Sequence, residues 1–186
     1  MTQSEILAET DSRMSKSVDA LVRGLNSIRT GRASPALIEN MMVDYYGIPT
    51  PMNQLASISI PEPRVLMIQP WDKQSMSDFE QSVLKSDLGL IPNNDGNVIR
   101  INIPALTEER RIELVRLVGR KVEEAHVAVR NIRRDSLEQF RGMERNKDLS
   151  QDESRRAQDQ LQAMTDQFIS QMDALRKDKE AEVMEV

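Results

Sequence analysis

Apolar side chains recur at Leu114, Val118, Val122, Ala125, Val129, Ile132, Phe140 and Met143, in steps of three and four with one double step across Ser136. At about 3.6 residues per turn these positions share one stripe, which predicts an unbroken amphipathic helix from Thr107 to about Arg145. Such a helix would be on the order of 60 Å long at 1.5 Å per residue, so only long partners can cover its apolar side. Two other stretches have the required period. Thr2 with Glu5 has the form of a capping box, and Leu7, Met14, Val18, Leu21, Leu25 and Ile28 then mark a first helix ending near Arg29. Ser150 with Glu153 opens a last helix, carried by Ala157, Leu161, Met164, Phe168, Met172 and Leu175 to about Glu182. Three long helices joined in this way predict an antiparallel bundle.

Between the first and second helices the pattern changes. Gly31 and Pro35 in Thr30-Gly-Arg-Ala-Ser-Pro35 stop the first helix, and the following stretch collects prolines and aromatics. Short strands are predicted near Glu39 to Tyr46, Leu55 to Ile60, Val65 to Gln69 and Val98 to Ile103. Ser77 with Glu80 reads as another capping box, and Phe79, Val83 and Leu84 give a short helix that closes before Gly89. Asn93-Asn-Asp-Gly-Asn97 supplies the turn into the last strand, which Pro104 ends. The expected fold class is α+β: an elongated antiparallel three-helix bundle from residues 1–30 and 105–186, with a small β/α/β domain, 31–104, inserted in it.

Charge refines this picture. The 186 residues carry a net charge of −5, which by itself argues against a nucleic-acid binder. From Arg110 to Arg134, however, there are eight Lys or Arg against three Asp or Glu, while from Asp148 to Val186 five basic residues face ten acidic ones. The acidity sits in the last helix and leaves the central one a local positive face. Winding at about 100° per residue is expected to set Arg116, Arg120, Arg130, Arg133, Arg134, Arg141 and Arg145 broadly opposite the apolar stripe. Nearly all these cations are arginine, whose planar fork suits bidentate phosphate contacts. The competing reading is a solvated surface of i, i+4 ion pairs such as Arg134 with Glu138. Only Phe140 and Phe168 are aromatic in the bundle, both at core positions, so recognition would go through the phosphates and shape of a folded RNA rather than base stacking.

Catalytic chemistry finds little purchase. His126 is the only histidine, at the edge of the apolar stripe, and reads as structural. No two glycines are closer than seven residues, which excludes Walker-type and dinucleotide loops. Asn93 to Asn97 lacks the acidic spacing of a calcium loop. No catalytic residue, metal or cofactor is expected. The absence of cysteine fits a reducing compartment, and no run approaches the ~18 apolar residues that span a bilayer, so a cytoplasmic protein without a membrane partner is expected.

Ile28-Arg-Thr-Gly-Arg-Ala-Ser-Pro35, Tyr45-Tyr-Gly-x-Pro-Thr-Pro51 leading to Gln54-Leu-Ala56, Ser86-Asp-Leu-Gly-Leu90, Leu106-Thr-Glu-Glu-Arg-Arg111 and Val127-Ala-Val-Arg-Asn-Ile-Arg-Arg-Asp135 together resemble the bacterial ribosome recycling factors. The resemblance runs through essentially the whole chain, departing only at Val183-Met-Glu-Val186, where little is expected to depend on it. It implies an L shape with the bundle as one arm, and a monomeric, non-enzymatic translation factor. Such a factor binds the post-termination ribosome at the subunit interface, lays its bundle against large-subunit rRNA and splits the complex with elongation factor G and GTP. Carried over residue by residue, Arg133 is the foremost ribosome-binding position, with Arg130 beside it. Arg134 belongs to the same face, and Arg29, Arg32, Arg110 and Arg111 transfer more weakly. Thr30, Gly31, Arg32, Ala33, Ser34 and Pro35, with Ile103, Pro104, Ala105 and Leu106, would form the interdomain hinge. A protein-binding helical scaffold is the alternative class, distinguished by a weak response of binding to salt.

Overall fold

The computed structural model describes residues 2–185; residues 1 and 186, which the expected bundle span includes, lie outside them. Three long helices occupy the stretches of helical period: α1 (Gln3–Asn26), α3 (Glu108–Arg145) and α4 (Gln151–Met184), with a short α2 (Met76–Lys85) between the first two. The chain divides into two compact units, residues 2–30 with 108–185, and Gly31–Thr107.

In the first unit each long helix packs on the other two. The stripe of α3 is buried from Leu114 to Phe140 and includes Ser136, the position at which the apolar step doubled. The Ser136 hydroxyl lies 2.7 Å from that of Thr10, which α1 buries in the same way. Thr10 also reaches its own Ile6 carbonyl at 2.7 Å and Ser136 its Ile132 carbonyl at 3.0 Å. Two hydroxyl protons serve three short contacts, so the pair is a polar layer that joins α1 to α3 without leaving a donor unmet. On α1 the buried position is Ile6 rather than Leu7, which is half-buried, because the line through Thr10 and Met14 runs back in fours to Ile6. On α4 the stripe takes in a cation before its last residue, Val183: Lys179 is 9% exposed, and its ammonium donates to Glu182 at 3.0 Å. The other oxygen of Glu182 accepts from Thr30 at 2.6 Å, so the end of α1 is tied to the end of α4. The divergent tail is part of this packing, since Val183 is fully buried and the Met184 carbonyl accepts from Arg111 at 3.1 Å.

The second unit holds β1 (Met42–Tyr45), β2 (Ile48–Pro51), β3 (Ala56–Glu62), β4 (Val65–Pro70), β5 (Pro92–Asn94) and β6 (Ile99–Asn102). β1 and β2 form an antiparallel hairpin; the others make a four-stranded antiparallel sheet in the order β3-β4-β6-β5. Leu66, Ile68, Ile99 and Ile101 alternate inward to meet Phe79 and Val83 of α2, Val43 of β1 and Ile38. β2 and β5 fall outside the strands expected from sequence. Each carries proline and lies at an edge, where a missing N–H leaves no gap in a ladder. The expected capping box of Ser77 and Glu80 is not formed. α2 instead follows a 3-10 turn, Lys73–Ser75, whose cap is Asp72, and Leu84 faces solvent. The turn into β6 is narrower than expected, because Asn93 and Asn94 belong to β5. Asp95 then accepts from the Asn97 and Val98 amides at 3.0 and 2.9 Å, and Gly96 takes φ +89°.

Both long-helix capping boxes form, at Thr2 with Glu5 and Ser150 with Glu153. The Ser150 hydroxyl and amide hold the Glu153 carboxyl below its ordinary 4.5, and backbone amides of Gln74 and Val98 hold Asp72 and Asp95 below their ordinary 3.8. Each is a depressed carboxylate, so its contribution to stability is present above the ordinary value and is lost as pH falls through the lowered one. The expected result is a melting midpoint that is level near neutrality and declines as the buffer is taken below 4.5. Calorimetry across an acid series checks this, and a midpoint unmoved well below 3.8 would count against these bonds.

Candidate nucleic-acid interface

The rigid frame of α3 sets where its arginines point. At about 100° per residue, Arg116, Arg120, Arg134, Arg141 and Arg145 fall within ~60° of one another, on the side away from the buried stripe. All five are exposed. Arg145 donates to Glu138 at 2.8 Å, seven residues back, so the expected pair of Glu138 with Arg134 is replaced by one with Arg145. Arg116, Arg120, Arg134 and Arg141 enter no ion pair among the described residues. Four unpaired guanidinium groups in a line attract phosphate, and they outnumber Glu123 and Glu138, the carboxylates that wind onto the same strip between Arg116 and Arg145.

Arg133 stands elsewhere than expected. It follows the buried Ile132 and lies only ~60° from the midline of the stripe, not opposite it. It is accordingly half-buried, and its Nε is shielded from solvent without a hydrogen-bond partner. On the same flank His126, one heptad earlier, meets α4: its Nε2 is 3.1 Å from Asp173 and its Nδ1 3.6 Å from Glu123. The Nε2 is fully shielded and makes no hydrogen bond, the Asp173 carboxylate being its nearest charged neighbour. His126 therefore serves as a bridge between helices. Glu123 also accepts from Arg130, whose Nε donates to the His126 carbonyl at 3.3 Å. That ion pair is exposed on both sides, of the kind that contributes about 0–1 kcal/mol and exchanges readily for a phosphate.

The remaining arginines gather at the other end of the bundle. Arg110 donates to Glu113 at 2.8 Å and Arg111 to the Met184 carbonyl, both in the first turn of α3. Arg29 is exposed beside Thr30, which Glu182 anchors two residues before Met184. Some 24 residues of helix, about 36 Å, separate Arg110 from Arg134, so the expected site residues form two clusters and not one. Arg32 is exposed in the second unit. Among the described residues no group of His, Cys, Asp or Glu could hold a metal ion, and no helix is long and apolar enough to cross a membrane.

A sequence model of the family described as ribosome recycling factor matches residues 21–184. The ribosome-recycling factor of Dehalococcoides mccartyi strain CBDB1 is 52% identical over 98% of both chains, and that of Bacillus subtilis strain 168 is 50% identical over 98% of both. The solution structure of a ribosome recycling factor matches with a TM-score of 0.74 at 41% identity, covering 99% of this chain and 98% of that one. A structure of the T. thermophilus ribosome recycling factor, from a study with E. coli elongation factor G on the E. coli post-termination complex, matches all of both chains with a TM-score of 0.64 at 45% identity.

Proposed function

The chain belongs to the ribosome recycling factor family, translation factors that split post-termination complexes and are not enzymes, and on that premise we propose how its own residues take part. It works on the ribosome with elongation factor G. The bundle binds large-subunit rRNA at the subunit interface along α3, with Arg133 and Arg130 at the centre and Arg134 adjoining. Arg29, Arg110 and Arg111 make a second contact of the bundle, and Arg32 makes its own from the small unit. The observation that supports this reading is the line of exposed arginines Arg116, Arg120, Arg134 and Arg141 on α3, none in an ion pair among the described residues, flanked by Arg130 and the half-buried Arg133 on a chain whose total charge is negative. The protein acts as a cytoplasmic monomer.

The test is the affinity for vacant large subunits as a function of salt. Binding through phosphates falls steeply as salt rises, because each neutralised phosphate releases a counterion. An affinity nearly independent of salt would favour the helical scaffold.

The crossings between the units serve as a hinge, and local anchoring narrows it. Thr30 is fastened to Glu182 in the bundle, whereas the Ala33 amide donates to the Pro63 carbonyl at 2.8 Å and Ala33 lies in the small unit's core. Ser34 and Pro35 lead into a 3-10 turn of that same unit. Gly31 and Arg32 lie in sequence between Thr30, tied to the bundle, and Ala33, tied to the small unit. On the return, the Ile103 amide donates to the Arg64 carbonyl at 2.8 Å, and Pro104, Ala105 and Leu106 precede α3. Residues 105–107 group with the small unit because Leu106 packs on Gly31, its Cγ 3.1 Å from where a Cβ would stand. Gly31 has φ +76°, a region closed to proline. Gly31→Pro is therefore expected to slow subunit splitting several-fold more than it weakens binding. Splitting followed by light scattering beside a binding titration separates the two, and equal turnover would remove the hinge from the mechanism.

A further inference from the structure

Where α1 and α3 pack, small side chains leave a hollow of about 270 Å³. Ala20 and Gly24 line it from α1, Ala125 and Ala128 from α3, and the buried Leu21 completes its apolar wall. The volume is just under the ~300–1,000 Å³ of sites for drug-sized ligands, so there is room for one flat ring system and not for a whole nucleotide. The hollow opens on the flank of α3 that faces α1, whereas His126 and Arg133 stand on the opposite flank, toward α4. It is therefore separate from the arginine edge.

Two opposite charges line the same hollow. The Lys121 ammonium lies against α1, 3.6 Å from where a Cβ on Gly24 would stand, and Glu124 follows one turn later on α3. Side chains three apart on a helix are neighbours, yet these two do not pair, and neither enters an ion pair elsewhere among the described residues. The hydroxyl of Ser17, the remaining polar group of the wall, already donates to the Arg13 carbonyl at 3.1 Å. The hollow thus presents an apolar wall, one charged donor and one carboxylate side by side. Outside it, Lys16 and Arg23 flank Ala20 on α1, where both are exposed and without an ion pair among the described residues.

We infer that the hollow between α1 and α3, with Lys121 and Glu124, is a binding site for an unpaired guanine base. On the Watson–Crick edge of guanine the O6 acceptor lies beside the N1–H and N2–H donors, so a carboxylate fork accepts from both N–H groups while an ammonium donates to O6. Glu124 and Lys121 supply that pair. Adenine and cytosine carry a ring-nitrogen lone pair where guanine has N1–H, and the carboxylate repels it. The flat faces of the base displace water from Ala20, Ala125 and Ala128, while ribose and phosphate stay outside, where Lys16 and Arg23 attract the charge. The base arrives either in a single-stranded stretch of RNA or as a free guanine nucleotide, two sources that differ in how many phosphates the outer cations meet. The inference does not rest on the proposed rRNA contact of the α3 arginines.

The experiment follows the amide NMR spectrum of the full-length chain during titration with GMP, IMP and AMP. GMP is expected to shift the amides of Ala20, Gly24, Ala125 and Ala128. IMP, which lacks the 2-amino group, should bind several-fold more weakly, and AMP more weakly again. Glu124→Gln keeps the shape and should abolish the preference for GMP over AMP, because an amide presents a donor as well as an acceptor. Ala20→Leu fills the hollow from an exposed helical position, so the shifts should vanish while the melting midpoint holds. A second arm compares GMP with the single-stranded RNA UUGUU over a salt series. Tighter, salt-sensitive binding of the RNA identifies a strand as the source of the base, and binding no tighter than that of GMP identifies the free nucleotide. No shift with GMP, shifts centred on the α3 arginines, an equal response to AMP, or undiminished binding by Ala20→Leu would each overturn the inference. None of these outcomes touches the affinity for large subunits, which tests the rRNA contact separately.

Discussion

Arg133→Ala is expected to lower affinity for the large subunit by about 10- to 100-fold, corresponding to the ~1.5–3 kcal/mol of a hydrogen bond to a charged partner. The flank position explains why this arginine should outweigh its neighbours. An exposed arginine such as Arg134 spends rotamer freedom on every contact, whereas the half-buried stem of Arg133 is already confined before RNA arrives. Its shielded Nε lacks a partner in the free protein. The stability change should stay within about 1 kcal/mol, because truncation loses stem packing yet also removes an unmet donor. Arg133→Lys is the decisive control: it keeps the stem and the charge but not the fork, so binding should recover only in part. The slope of log affinity against log salt should shrink by about one for the alanine variant. Binding measured by filter retention or light scattering over a salt series checks all three, and wild-type affinity for Arg133→Ala would withdraw this residue from the interface.

The largest effect on stability is expected at Phe140. It is 0% exposed on α3, and the antiparallel register set by His126 and Asp173 brings it within a turn of Ala157 of α4, which is equally buried. Phe140 is among the largest fully buried side chains of the protein. Phe140→Ala should therefore cost about 3–5 kcal/mol, close to the whole stability of a domain at the low end of the usual ~5–15 kcal/mol. Chemical denaturation monitored by circular dichroism measures it. The same truncation at Phe168, which is only half-buried, should cost clearly less, and equal costs would show that the ring at 140 is not the packing centre of that end.

The long helices were legible in sequence because their evidence is local: Leu114, Val118, Val122, Ala125, Val129 and Ile132 repeat within a few turns, and Ser150 with Glu153 writes a cap in four residues. The two small-unit strands that escaped notice, β2 and β5, contain proline, and only their edge places in the sheet make proline harmless. Ser136 looked like a gap in the apolar stripe for a similar reason, as its partner Thr10 lies 126 residues away.

The arginine site divides along the same line. That α3 carries an excess of arginine, and that Arg116, Arg120, Arg134, Arg141 and Arg145 stand clear of the core, followed from winding alone. Which carboxylate each arginine meets did not follow, and Glu138 pairs with Arg145 instead of Arg134. The half-buried state of Arg133 needed α4 packed in place, since a residue ~60° off the stripe is exposed or covered according to how closely the neighbouring helix approaches. The amino-acid order thus determined the long helices, the capped starts of α1 and α4, the inserted unit and the sign of charge along α3, all set by residues within a turn or two of one another. Only the tertiary structure decided the Thr10–Ser136 layer, the Lys179–Glu182–Thr30 tie and the hollow between α1 and α3, because each joins groups whose meeting depends on the folding of everything between them.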